Sequence, residues 1–145
     1  YVSERRAVAF LEAKTEWVEA ARRRFASRTR PPQFTKEQIE ALRAEAKAVL
    51  PPRLDTLARR FGLRYGRVSI RAARTKWGSC SWRNDISLSL YLMTLPEHLR
   101  DYVMIHELCH TVHHDHSPRF HALVDRLTEG KEKLLARELR SFSIR

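Results

Sequence analysis

The sequence predicts an α+β fold: N-terminal helices, a small antiparallel sheet, a helix carrying a His-Glu-x-x-His motif, and a C-terminal helix. Three observations carry this expectation. Apolar residues recur at helical spacing before Gly62 and again after Glu97. Between them, Val68, Ile70 and Ala72 alternate with Ser69 and Arg71, and Ile86, Leu88 and Leu90 alternate with Ser87, Ser89 and Tyr91. Alternation with period two is the mark of a half-buried strand. Turn and cap residues (Gly62, Arg83-Asn84-Asp85, Pro96) fall between these segments.

The elements follow in order. Residues 4 to 27 read as a first helix, with Phe10, Trp17, Ala21 and Phe25 on one face and Ser3 as N-cap; Arg30-Pro31-Pro32 ends it. Thr35-Lys36-Glu37-Gln38 has capping-box spacing and opens a second helix through Ile39, Leu42, Ala46 and Leu50. Pro51-Pro52 is expected to kink or restart that helix before Leu54, Leu57 and Phe61, and Gly62 to stop it. The two strands come next, paired antiparallel in the simplest arrangement, and the strand at 86–91 is expected to offer an edge to an extended peptide. Thr94-Leu95-Pro96-Glu97 reads as another capping box, opening the helix that carries the histidine motif. Ser117-Pro118 starts a further helix with Phe120, Leu123, Val124 and Leu127 buried, and residues 131–140 extend helically.

At 145 residues and 43% hydrophobic content, residues 1–145 suit a single domain with a real core. Within it, 1–34 form the N-terminal helical part and 35–128 the core. No apolar run approaches the ~18 residues needed to span a bilayer, and no secretory signal is legible. Two cysteines, Cys80 and Cys109, are too few for a disulfide framework; in apolar surroundings they read as buried reduced thiols of a cytoplasmic protein. The net charge of +11 is spread along the chain: residues 1–60 hold 14 basic and 8 acidic side chains, and residues 61–145 hold 14 and 9. The one dense run, Arg22-Arg23-Arg24 with Arg28 and Arg30, supports nucleic-acid contact only weakly, because no finger motif or aromatic-rich signature accompanies it.

Six of the seven histidines lie between His106 and His121. His106-Glu107-Leu108-Cys109-His110 places two imidazoles four residues apart, on one face of a helix, with a carboxylate directly after the first. That is the arrangement in which two histidines bind one Zn²⁺ and the glutamate takes a proton from a metal-activated water. A hydrolytic zinc site needs a third protein ligand and one open position. His113, His114, His116, His121 and later carboxylates are available. His113 and His114 follow too closely to swing back to the ion if the helix continues. His116 sits on the turn-forming Asp115-His116-Ser117-Pro118 and is the expected third ligand. The spacing equals that of metzincin proteases. Those require glycine where this chain has His113, and their downstream Met-turn has no counterpart, since Met93 and Met104 both precede the site.

The expected reaction is hydrolysis of a peptide bond, with His106, His110 and His116 as metal ligands, Glu107 as the catalytic base and one Zn²⁺ per chain. Arg74, Lys76, Tyr102 and the extra histidines are the candidates for stabilising the oxyanion. Two alternatives stand beside it: a metal-dependent hydrolase of nucleotide phosphoanhydrides, and a nucleic-acid-associated module. Purely structural zinc sites close with four protein ligands, so a glutamate beside a three-ligand site favours an enzyme.

The chain resembles the YgjP-like metallopeptidase domain, a minimal relative of gluzincin-type zinc proteases and of SprT-like proteins. The resemblance covers roughly residues 35–128. It is carried by Tyr65-Gly66-Arg67-Val68, Lys76-Trp77-Gly78-Ser79-Cys80-Ser81, Ile86-Ser87-Leu88-Ser89, Tyr102 through His110, and Asp115-His116-Ser117-Pro118-Arg119-Phe120. It implies a zincin-like fold, a third zinc ligand at His116 and a catalytic base at Glu107. It also implies β-hairpins before the first long helix, which this sequence lacks, so a truncated N-terminus is expected. Three positions depart from the family's habit: Asp115 and Ser89, where asparagine is usual, and His121, where tryptophan is frequent.

Overall fold

A computed structural model of the protein describes residues 34–142. The expected helix over residues 4–27, the arginine run at 22–30 and the truncated start lie outside the described residues.

Helix α1 (Lys36–Phe61) is 26 residues long and begins as its sequence dictates. The Thr35 hydroxyl accepts from the Gln38 backbone N–H at 3.1 Å, and the Gln38 side chain accepts from the Thr35 N–H at 2.9 Å. Gly62 ends it at φ 68, a left-handed conformation that glycine adopts without a Cβ penalty. The helix does not restart at Pro51-Pro52; both prolines lie inside one helix. Each removes a backbone donor, at a cost of roughly 3 kcal/mol in a helix interior. Burial on both sides of the pair offsets this, since Leu42, Ala46, Leu50, Leu54, Leu57 and Ala58 form one sequestered stripe.

Three short strands follow: β1 (Val68–Arg71), β2 (Gly78–Cys80) and β3 (Ile86–Ser89). The sheet order is β1-β3-β2, with β2 antiparallel and β1 parallel to β3. The sheet is therefore mixed, not purely antiparallel, and β3 is its centre, so the strand at 86–91 offers no free edge. Alternation reports which face of a strand is buried but neither its neighbours nor their direction. The three-residue β2, half-buried throughout, has no alternation to read.

The third strand also ends earlier than its pattern suggests. The Ser89 hydroxyl accepts from the Tyr91 N–H at 3.1 Å and donates to the Ala73 carbonyl at 2.8 Å. This turns the chain into a buried 3₁₀ segment, Leu90–Thr94. Helix α2 (Glu97–Cys109) comes next, with Pro96 at its N-cap and no side-chain cap. The expected Thr94 capping box does not form, because the Thr94 hydroxyl donates to the Tyr91 carbonyl at 2.7 Å. Buried Arg100 reaches back instead, donating from Nε to the Leu95 carbonyl at 3.0 Å.

Helix α3 (Pro118–Leu127) starts at Ser117, whose hydroxyl accepts from the Phe120 N–H, and α4 (Glu132–Arg140) closes the fold. Both helices match the sequence reading, but of the expected buried stripe Phe120 and Val124 are buried while Leu123 and Leu127 are half-buried against the core. Helix α2 lies at the centre, packed against α1, β2, β3, α3 and α4. The core joins the α1 stripe to the 3₁₀ segment, Leu99, Val103 and Leu108 of α2, and Phe120 and Val124 of α3. No helix of the described residues is long and apolar enough to cross a membrane.

Candidate metal centre

Helix α2 delivers the first two histidines. His106 lies in its last turn, and His110 caps it in right-handed helical geometry, so the two rings meet edge to face one turn apart, with centroids at 5.0 Å. Beyond His110 the chain leaves the helix, and the turn that follows brings His116 back. Its ring lies 4.8 Å from that of His110 and 5.7 Å from that of His106. The donor atoms of the three imidazoles all lie within 4.8 Å of one another. Asp115 shapes this return: its carboxylate accepts from the Ser117 N–H at 3.1 Å, a short local turn that starts α3.

The donor set fits a metal ion. Burial, with the neighbouring His110, His116 and His121, pushes the His106 pKa down to about 4, so this imidazole is neutral at pH 7, the form that ligates. The His110 Nδ1–H donates to the His113 carbonyl at 2.9 Å, which leaves Nε2 as the free donor atom. Phe120, fully buried, supports all three rings: it stacks on His110 with centroids at 4.1 Å and meets His106 and His116 edge-on at 4.9 and 5.3 Å.

Glu107 points away from solvent, only 6% exposed, yet lines the same cavity as the three histidines, a space of about 430 Å³. Burial raises its pKa to about 7, opposed by the charge of Lys76. Sheet and turn supply the opposite wall through Lys76, Gly78, Ser79, Cys80 and Trp82. Gly78 pairs with Leu88 in the sheet and faces the Glu107 side chain.

The remaining candidates divide. Lys76 and His114 line the cavity, with the His114 Nε2–H donating to Asn84 Oδ1 at 2.6 Å. Tyr102 is buried beside His106 at 6.1 Å between ring centroids, and Arg74 lies over the Tyr91 ring at 6.0 Å; neither lines the cavity. His113 contributes its carbonyl, His121 pairs with Glu132 at 2.6 Å, and His98 pairs with Glu138 at 2.9 Å. Two features escape sequence reasoning. One is the packing of Gly78 on Glu107, signalled only by a glycine inside a strand. The other is Trp82, 77% exposed on the cavity rim with the Arg83 guanidinium 4.9 Å from its ring.

An α+β protein whose central helix and following turn gather three histidines able to hold a metal ion has the architecture of a metal-dependent enzyme. The model of the YgjP-like metallopeptidase domain matches residues 32–141, well over half of the chain, and the protein belongs to that family. Membership makes it a hydrolase of the metallopeptidase class, for which peptides or proteins are the substrates. No curated protein and no solved structure matches the chain.

Proposed function

We propose that the protein is a zinc-dependent peptidase in which His106, His110 and His116 hold the metal and Glu107 is the general base. The observation that carries this is the meeting of three imidazoles with one buried carboxylate on a single open cavity. Imidazole donors suit Zn²⁺ among the available divalent ions. When bound, the metal supplies Lewis acidity, which lowers the pKa of water toward ~7 and polarises a scissile carbonyl.

Glu107 accepts the proton of the attacking water and passes it to the leaving amine nitrogen. A carboxyl group with a pKa of about 7 can do both near neutrality. A cation held by the three histidines would favour its ionised, proton-accepting form. Lys76, on the cavity wall, is the side chain that would stabilise the developing oxyanion. Trp82 on the rim offers an apolar face to a substrate side chain. Both cysteines are free, which suits a reducing compartment, and we assign the protein to the cytoplasm.

The test pairs zinc binding with turnover. Glu107→Gln is expected to bind Zn²⁺ like the parent protein and to lose peptide hydrolysis by a factor of about 10² or more. A peptide library and nucleoside triphosphates are assayed side by side. Full peptidase activity in Glu107→Gln, or turnover of triphosphates alone, overturns the assignment.

A further inference from the structure

We propose that the groove on the outer face of the three-stranded sheet binds a flank of the peptide substrate that carries aspartate or glutamate side chains. This rests on the peptidase reading above and adds the substrate class to it. The groove encloses about 850 Å³ and shares Lys76, Ser79 and Cys80 with the cavity of the histidines and Glu107. The two spaces meet at β2, so a chain held over Glu107 continues onto the sheet.

Strand alternation makes this face polar. Ile86 and Leu88 are buried and Val68 and Ile70 half-buried, whereas Ser69 and Arg71 are exposed and Ser87 half-buried. The register places Ser69 opposite Ser87 and Ser87 opposite Ser79. Three serines thus form one row across the sheet, at ~4.8 Å per strand. Three cations border it, Arg67, Arg71 and Lys76, against one acid, Asp85. An Asp85 oxygen is already engaged by the Arg67 backbone N–H at 2.8 Å. Neither Arg67 nor Arg71 has an ion-pair partner among the described residues.

Hydroxyl donors between guanidinium groups match carboxylates, which accept bidentate hydrogen bonds from arginine. Among the described residues no aromatic side chain lines the groove, so these residues offer none of the stacking platforms that single-stranded nucleic acids use. An extended peptide advances ~3.3 Å per residue, so a few residues beside the scissile bond reach the serine row.

The test uses matched fluorogenic peptides with Asp/Glu, Asn/Gln or Lys flanks on either side of one cleavable bond, assayed with the zinc-loaded protein. The acidic flank on one side is expected to raise kcat/KM on the order of fivefold over its neutral counterpart at low salt, less at high salt. R67Q/R71Q should abolish that preference, while K36Q/K47Q, which removes the same charge from α1, should keep it. Binding is read separately, by anisotropy of the labelled acidic peptide on Glu107→Gln protein, with R67Q/R71Q on that background. Equal cleavage of acidic and neutral peptides, or a preference that survives R67Q/R71Q, overturns the inference and leaves the peptidase reading standing. An oligothymidylate that binds through Arg67 and Arg71 where the acidic peptide does not also overturns it. If no peptide is cleaved, the peptidase reading falls and this inference falls with it.

Discussion

Gly78 and Glu107 are packed so closely that a Cβ between them would make Glu107 or the strand give by a few tenths of an ångström. A Cβ on Gly78 would lie 3.1 Å from Glu107 Cγ and 3.4 Å from its Oε2, and 3.3 Å from the Ser87 carbonyl oxygen. The strand backbone therefore acts as the wall that fixes the carboxylate. Gly78→Ala is expected to displace Glu107 while leaving the three histidines in place. Peptide hydrolysis should fall roughly 10–100-fold, with zinc affinity unchanged within a few fold. Steady-state kinetics alongside a zinc competition titration checks this; equal loss of both would refute it.

Phe120 gives the opposite signature. It is fully buried and touches all three histidine rings. Phe120→Ala should cost ~3–5 kcal/mol of stability through the cavity it leaves. Zinc affinity should fall about tenfold or more as the rings lose their support. Phe120→Leu, which keeps most of the volume, should recover the larger part of both. Urea unfolding and metal titration of the two variants separate packing from ligation.

Cys80 stands on the cavity wall, but its thiol is not poised to react. Burial first, then the charges of Glu107 and Asp85, push its pKa up to about 11. The thiolate is scarce at pH 7.5 and grows about tenfold per pH unit until that value is approached. Alkylation by iodoacetamide, followed by mass spectrometry, should accordingly be ~100-fold faster at pH 9.5 than at pH 7.5. The same shift has a sign for stability. Below the thiol's ordinary pKa near 9 it has no effect. Above it the unfolded chain ionises first, so stability falls as pH rises toward 11.

Arg53 and Asp101 tie α1 to α2. The guanidinium donates from Nε to Oδ1 at 3.0 Å and from Nη2 to Oδ2 at 2.8 Å. The pair is partly exposed, at 33% and 20% of the two side chains, so solvent screens it. Asp101→Asn is expected to cost about 0.5–1 kcal/mol, a fall in Tm of roughly 2–8 °C for a domain of this size, shrinking in high salt. A thermal-melt double-mutant cycle with Arg53→Met measures the coupling.

Much of this was legible in the residues because the physics is local. The Thr35 box, the Gly62 stop and the Ser117-Pro118 start depend on atoms within four positions of one another. His106, His110 and His116 come together for the same reason: a helical turn followed by a reversal. What stayed hidden depends on distant partners. The place of β1 beside β3, and its parallel direction, is set by the chain between them and by packing on α1. Thr94 has cap chemistry, but its hydroxyl is captured by Tyr91 inside the buried 3₁₀ segment. The continuity of α1 through two prolines follows from a stripe of leucines whose burial no single window of sequence reveals. Gly78 carries no chemical group at all, and its meaning appears only once Glu107 is beside it.

Among the described residues, the wall of the histidine cavity comes from the stretch between Lys76 and His116, whereas α1 stands behind it and contributes none. On the proposed function, chemistry and buttress are thus written in separate parts of the chain and are open to independent change. A pooled substitution scan should show two phenotypes that hardly overlap. Changes to Leu42, Leu50 or Leu57 should lower the amount of folded protein and leave the turnover of each surviving molecule intact. Changes to the cavity wall should do the reverse. Such a division lets the supporting helix drift, be stiffened or be exchanged without renegotiating the reaction.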